Sequence, residues 1–282
     1  MTDAVQALGE RFPRKRIVVT GAASGLGLEL CRRFARAGWT IGMLDVNAAA
    51  LDAAAVEVER LGGRVSRVVA DVTDADALRA AVDALVADAQ GLDVMVNNAG
   101  VAVGGDFVET PADDWRWIVG INLLGVVHGA RAALPALLAN GSGLLLNVAS
   151  AAGFASSAGM SAYNATKAAV VALSETLYAE TLGTGVQVSV AMPYFFRTGL
   201  HLTLRASEEA RRDAERMFAT SPYTLEQAAT DVLAGAAAGR LYVLAPRWLG
   251  LLWFVKRMNG PFYLRLFRRL RDRQLAREAS AA

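Results

Sequence analysis

A doubly wound α/β sheet of about seven parallel strands, folded as one domain, is the architecture the sequence predicts, and three observations predict it. Short β-branched or apolar runs alternate with helix-length, Ala- and Leu-rich stretches along most of the chain. The first run passes directly into a glycine turn that opens an amphipathic stretch. Residues suited to chemistry or close approach gather at the carboxyl ends of the runs, where such a sheet takes its ligands.

In order, Arg16–Thr20 is the first strand, followed by Thr20-Gly21-Ala22-Ala23-Ser24-Gly25-Leu26-Gly27 and a helix to about Ala37. Glycines allow the turn and a close backbone approach, and free amides at a helix amino terminus stabilise a phosphate. Trp39–Leu44 forms a second strand ending at Asp45, where a carboxylate either takes the hydroxyls of an adenosine ribose or merely closes the strand. With no basic residue at Ser24 or just after Asp45 to receive a 2′-phosphate, NAD is favoured over NADP. Helices over Ala48–Leu61 and about Ala75–Ala89 flank a third strand, Arg64–Ala70, that ends at Asp71-Val72. A fourth strand ends at Asn97-Asn98-Ala99-Gly100. A long helix, started at Thr110-Pro111-Ala112-Asp113, then runs through Asn122 to about Asn140. Leu144–Val148 is the fifth strand, ending at Ser150, and Val186–Ala191 the sixth, closed by Pro193. Thr224 and Gln227 cap a helix before a seventh strand, Leu241–Leu244. The polar stretch of about 200–222, helical from Ser207 to Phe218, stands where an enzyme has a lid.

Within Ser161–Ala168, Tyr163 and Lys167 stand four apart on a helix and share a face. Such a pair is either an exposed surface contact or a proton acceptor, because a neighbouring ammonium lowers the pKa of a phenol.

Composition narrows the alternatives. A chain of 282 residues, 54% hydrophobic, supports a large core. The one cysteine, Cys31, and two histidines, His128 and His201, supply neither a disulfide nor a zinc set, so a metal-free site in a reducing, cytoplasmic setting is expected. No uninterrupted apolar run reaches about 18 residues, so no membrane span is expected. Ser150 lacks a Gly-x-Ser-x-Gly elbow and no Gly-Lys-Ser/Thr follows the glycine turn, which disfavours serine hydrolases and P-loop hydrolases.

Together, Thr-Gly-x-x-x-Gly-x-Gly at 20–27, Asn-Asn-Ala-Gly at 97–100, Tyr-x-x-x-Lys at 163–167 and Ser150 thirteen residues before Tyr163 resemble the short-chain dehydrogenase/reductase family over roughly residues 16–246. The resemblance implies a Rossmann-like fold and hydride transfer between a nicotinamide cofactor and an alcohol or ketone. It implies Tyr163 as acid/base, Lys167 lowering its pKa and holding the nicotinamide ribose, and Ser150 orienting the reacting oxygen. Asn122 would support a helix distortion and a proton relay. Gly21, Ser24, Gly25, Leu26 and Gly27 would face the pyrophosphate, Asp45 the ribose and Asp71 and Val72 the adenine. Asn98, Ala99 and Gly100 would lie by the second sugar, with Pro193 and Thr198 closing the cofactor site. Tyr194 replaces the family's glycine after Pro193 and either lines the substrate cleft or packs beneath the nicotinamide. A homodimer or homotetramer through the helices of Asn122 and Tyr163 follows from the same resemblance.

The small and apolar residues of 151–160 and the aromatic run after Pro193 suggest a bulky apolar substrate. An NADPH-dependent reductase, or a regulatory NAD-binding protein without turnover, is the alternative.

Residues 1–246 are expected to form the catalytic domain and 247–282 a basic amphipathic extension. From Arg240 onward nine Arg and one Lys face only Asp272 and Glu278, a net +8, which leaves −6 of the total +2 for the rest. That acidic remainder argues against nucleic acid. Tyr263, Leu266, Phe267 and Leu270 repeat at helical spacing among arginines. The extension therefore either lies peripherally on an anionic membrane or covers the cleft or a subunit boundary.

Overall fold

The computed structural model describes residues 3–196 and 203–279. In order, the elements are α1 (Asp3–Arg11), β1 (Arg16–Thr20), α2 (Gly25–Arg36), β2 (Thr40–Asp45), α3 (Ala48–Arg60), β3 (Arg64–Val69), α4 (Ala75–Asp88) and β4 (Val94–Asn97). Next come α5 (Ala112–Val119), a π turn (Gly120–Leu124), α6 (Gly125–Ala139), β5 (Gly143–Val148), α7 (Ala152–Ala155), α8 (Ser161–Glu180) and β6 (Val186–Pro193). The remainder is α9 (Glu208–Thr220), α10 (Leu225–Ala237), β7 (Tyr242–Ala245), α11 (Leu249–Met258) and α12 (Gly260–Ala279).

The seven strands pair in the order β3-β2-β1-β4-β5-β6-β7, every pairing parallel. This is the Rossmann-like sheet the sequence predicts. The order reverses direction between β1 and β4, and a crevice opens there at the carboxyl ends. Central strands β1, β4, β5 and β6 are buried throughout, as continuous apolar runs covered on both faces should be. Apolar clusters fill both sides: Phe34, Trp39 and Leu51 on one, Leu78, Leu85 and Leu137 on the other.

Three local features add detail to the sequence expectation. The polar amino terminus forms α1, which buries Val5 and Leu8 against the body, followed by the buried Phe12. The helix through Asn122 carries the distortion that the resemblance implies, as the π turn, but it starts behind Pro111 with no side-chain cap, Thr110 instead donating to the Asp106 carbonyl. Finally, the extension is two helices that pack onto the domain, with Leu249 and Tyr263 each 1% exposed. By contrast, Thr224 and Gln227 make the reciprocal capping box their spacing predicts.

Among the described residues one helical stretch, Ala112–Ala139, meets by length and composition the requirement for crossing a bilayer, although no single uninterrupted apolar run does. Its inner face packs on β4 and β5, and it carries the buried Asn122, so its apolar character serves the core.

Candidate active site

At the carboxyl ends of the strands lies a cleft of about 2170 Å³, bordered by Gly21, Asp45, Asn98, Ser150, Tyr163 and Lys167. It also reaches Ser24, Gly25, Leu26, Asp71, Val72, Ala99, Gly100, Pro193 and Tyr194. One crevice thus gathers nearly every residue singled out in the sequence. Thr198 lies outside the described residues, and Asn122 and Gly27 stand behind the wall.

The glycine turn fits a dinucleotide. Gly21 and Gly25 adopt φ of +64° and +52°, which a side chain disfavours. A Cβ on Gly27 would come within 2.2 Å of the Gly21 carbonyl oxygen, so only glycine lets α2 start this close to β1. Ser24 is the N-cap but its side chain caps nothing, and the first turn of α2 holds no acid. Its leading amides therefore face the cleft as an anion site. Asp45 holds this loop from below, one carboxylate oxygen accepting from the Ala23 amide and the other from the Asn47 amide, each at 3.0 Å. The next side chains, Val46 and Asn47, are exposed and uncharged. Asn98 closes the turn from β4, its side-chain nitrogen donating to the Thr20 and Gly21 carbonyls at 3.0 and 3.1 Å. Asp71 accepts from the amide and hydroxyl of Thr73, a local turn at the border of the cleft.

Helix α8 delivers the reactive pair from its buried face. Tyr163 is 7% exposed and borders the cleft, while Lys167 is 3% exposed, with its ammonium 5.8 Å from the centre of the Tyr163 ring. The pair therefore shares one site and is not a surface contact. Lys167 Nζ donates to the Val148 carbonyl at 2.9 Å, a fixed point at the end of β5. Burial lowers the Lys167 pKa to about 8. The expected lowering of the phenol pKa by the ammonium is not what the structure shows. Burial instead raises Tyr163, and a hydrogen bond from Ser150 opposes that rise. The low-dielectric setting around the buried phenol dominates. Ser150 is itself fixed, since its Oγ accepts from the Ala152 amide at 3.1 Å as α7 begins.

Asn122 is fully buried in the π turn. Its Oδ1 accepts from the Val101 amide at 2.8 Å and its Nδ2 donates to the Val101 carbonyl at 2.9 Å. Widening of one helical turn presents this side chain to the loop after β4, which a regular α-helix would not. The expected distortion is there, and Asn122 works through Val101 and, at 3.4 Å, Thr166.

Sequence reasoning missed the far wall of the cleft. Val103 pairs with Arg205, Gly105 with Met160, and the Arg205 guanidinium stacks 3.8 Å over the Trp117 ring while donating to Asp114 at 2.9 Å. These contacts tie three loops together across more than 100 residues, and no local pattern announces them. Tyr194 lines the cleft and packs edge-on to Trp248, ring centres 5.5 Å apart, so it links the substrate side to the extension. Leu264 and Phe267 of α12 border the same cleft. His128 Nδ1 donates to the Val72 carbonyl, and Cys31, fully buried with its pKa raised to about 12, packs in the core.

Comparison with known proteins agrees with this geometry. The family model for short chain dehydrogenases matches residues 15–209. The chain is 41% identical over 199 residues to a galactitol 2-dehydrogenase (L-tagatose-forming) of Cereibacter sphaeroides, covering 68% of this chain and 75% of that one. It superposes with a TM-score of 0.83 and 30% identity on a short chain dehydrogenase/reductase of Burkholderia phymatum solved with NAD, covering 88% and 94% of the two chains. A short-chain dehydrogenase of Sphingobium yanoikuyae solved with NADPH gives 0.74 and 28%, covering 88% and 94%. The matched stretch runs from the strand before the glycine turn, through the helix of Tyr163 and Lys167, into α9. The chain therefore belongs to the short-chain dehydrogenase/reductase family and is an oxidoreductase acting on CH–OH groups with NAD(P).

Proposed function

We propose that the protein is an NAD-preferring dehydrogenase that interconverts a bulky, apolar alcohol and its ketone or aldehyde. The observation that carries the chemistry is the Ser150–Tyr163–Lys167 arrangement on the cleft wall. Bound there, the nicotinamide cofactor supplies or accepts the hydride. Tyr163 gives its proton to the carbonyl oxygen in reduction and takes it back in oxidation. Ser150 holds that oxygen beside the phenol by a second hydrogen bond. Lys167, fixed by the Val148 carbonyl, places positive charge where an anionic phenolate would form and within reach of a ribose hydroxyl. Asn122 keeps the Val101 loop, and with it Gly100, against the cofactor side of the cleft. A Cβ at Gly100 would stand 3.3 Å from Asn122 and 3.4 Å from Lys167.

Asp45 supports NAD. A carboxylate in the ribose position hydrogen-bonds two hydroxyls and repels a 2′-phosphate, and neither Val46 nor Asn47 offsets that repulsion. Tyr194, Phe195, Phe196 and the apolar side chains of α12 support a bulky apolar substrate, because they line the cleft beyond Tyr163. A second reading, a polyol substrate, draws on the galactitol 2-dehydrogenase relative.

A turnover panel separates these readings. Alicyclic, long-chain and polyol substrates are each offered with NAD and NADP, and absorbance of the reduced cofactor is followed. We expect kcat/KM with NAD to exceed that with NADP by at least about 10-fold and apolar alcohols to lead. Preference for NADP, or for polyols, overturns the corresponding half of the proposal.

We infer assembly into two or four copies through the outer faces of α6 and α8. On α6 and its preceding π turn, Leu124 and Leu138 stand 45% and 43% exposed on one side, four helical turns apart. Sedimentation velocity is expected to give a multiple of 29.8 kDa that Leu124→Glu/Leu138→Glu reduces; a wild-type monomer at micromolar concentration overturns the inference.

A further inference from the structure

The two helices of the extension have opposite faces that ask for different surroundings. Inward, Leu249 and Tyr263 are buried, Trp253 packs on Tyr242 with ring centres 4.6 Å apart, and Lys256 donates to the Phe154 carbonyl and, at 2.7 Å, to Ser156 Oγ. Outward, Leu251, Phe254 and Met258 follow helical spacing along one side of α11 and are 69%, 61% and 72% exposed. Phe262, 55% exposed, continues the patch onto α12, and Trp248, 54% exposed, begins it. Large apolar side chains scattered singly over a surface need no explanation, but five on one helical hairpin do. The stripe expected at Tyr263, Leu266 and Phe267 is in fact divided. Tyr263 and Phe267 turn inward, Leu266 is exposed, and the side chain of Leu270 lies outside the described residues.

Charge selects the occupant. No Asp or Glu occurs between Asp231 and Asp272, whereas Arg247, Arg257, Arg265 and Arg269 are exposed around the apolar patch. A second copy docked by the same face would set arginine against arginine. An anionic bilayer matches both features: apolar side chains enter the acyl boundary while arginines meet the headgroups.

We propose that the α11–α12 hairpin docks the protein peripherally on an anionic lipid surface, with Leu251, Phe254, Met258 and Phe262 inserted and the surrounding arginines on the headgroups. Because Leu264 and Phe267 on the same helix border the catalytic cleft, docking brings the mouth of the cleft to the bilayer, where an apolar alcohol is dissolved. The docking itself does not rest on the substrate assigned above. The added delivery role does, and the two fail separately.

The test is co-sedimentation of the full chain with phosphatidylcholine vesicles, with and without phosphatidylserine. We expect binding at least about 10-fold stronger with phosphatidylserine, weakened as salt screens the arginines. Leu251→Ser/Phe254→Ser/Met258→Ser and, separately, Arg265→Glu/Arg269→Glu should each abolish sedimentation while turnover of a water-soluble alcohol stays unchanged. The second variant keeps the test decisive should the first fold poorly. Absence of wild-type sedimentation with either vesicle, or equal binding by the wild type and the folded variants, overturns the proposal. A lipid-independent assembly that the serine variant disperses, with no vesicle binding, assigns the face to a second copy instead.

Discussion

Tyr163→Phe is expected to reduce kcat by about 10³-fold while changing the dissociation constant of the nicotinamide cofactor by less than about 3-fold. The ring is kept, so its packing and its contact with Lys167 remain, and only the phenol oxygen and its proton are lost. Stopped-flow turnover and fluorescence titration of the cofactor measure the two quantities. A variant with near wild-type kcat would remove Tyr163 from the chemistry, and a wild type with no turnover on any alcohol would leave a cofactor-binding regulator. Burial raises the phenol above its ordinary value, so at neutral pH it carries the proton and is set to donate it. Oxidation needs the other form. Its rate should therefore climb as pH rises toward the raised pKa, while reduction is fastest at neutral or lower pH.

Lys167→Met is expected to lower kcat by at least about 10²-fold and yet to leave the fold at pH 7 as stable as the wild type or more so. The sign follows from the ammonium's pKa, lowered by burial from 10.5 to about 8. Below about pH 8 both folded and unfolded chains carry the charge, and the folded chain bears the whole desolvation cost, of order 3 kcal/mol. Between pH 8 and 10.5 the folded chain sheds its proton before the unfolded chain does, and the cost disappears. Methionine avoids that cost but leaves the Val148 carbonyl without its donor, a loss of about 1–3 kcal/mol. Thermal melts of both proteins from pH 7 to 10 check this: the wild type should gain several degrees on the variant across the window. A variant that melts far below the wild type at every pH would show that the ammonium stabilises the fold.

Much of the site was legible because its residues sit next to signals of local structure. Asp45, Asn97-Asn98 and Ser150 each follow an apolar run, and a parallel strand ends where its run ends. The Tyr163–Lys167 spacing needed only a helix to bring both side chains to one face. What escaped was set by contacts distant in sequence. Helix α1 is polar by composition and gains its place from Val5, Leu8 and Phe12 meeting α10. The distortion at Asn122 was implied by the resemblance alone, and its partner, the loop at Val101, is announced by no spacing rule. The direction of the Tyr163 shift depends on how deeply the neighbouring chain buries it, a quantity absent from the motif. The extension was ambiguous because its periodicity describes two faces, and only packing decides which one is covered.

The Lys256 anchor makes the carboxyl-terminal hairpin part of the catalytic frame. Its ammonium grips the Phe154 carbonyl and Ser156, the last residues of a short stretch that opens at Ser150. Ser156 is held there with φ of +54°, a conformation that a free loop would abandon. Truncating the protein before Leu249 therefore does more than strip away a surface. It unfastens the segment that holds Ser150 on the cleft wall, so a shortened chain is no neutral reference for judging what the hairpin contributes, and point changes on its outer face are the cleaner instrument.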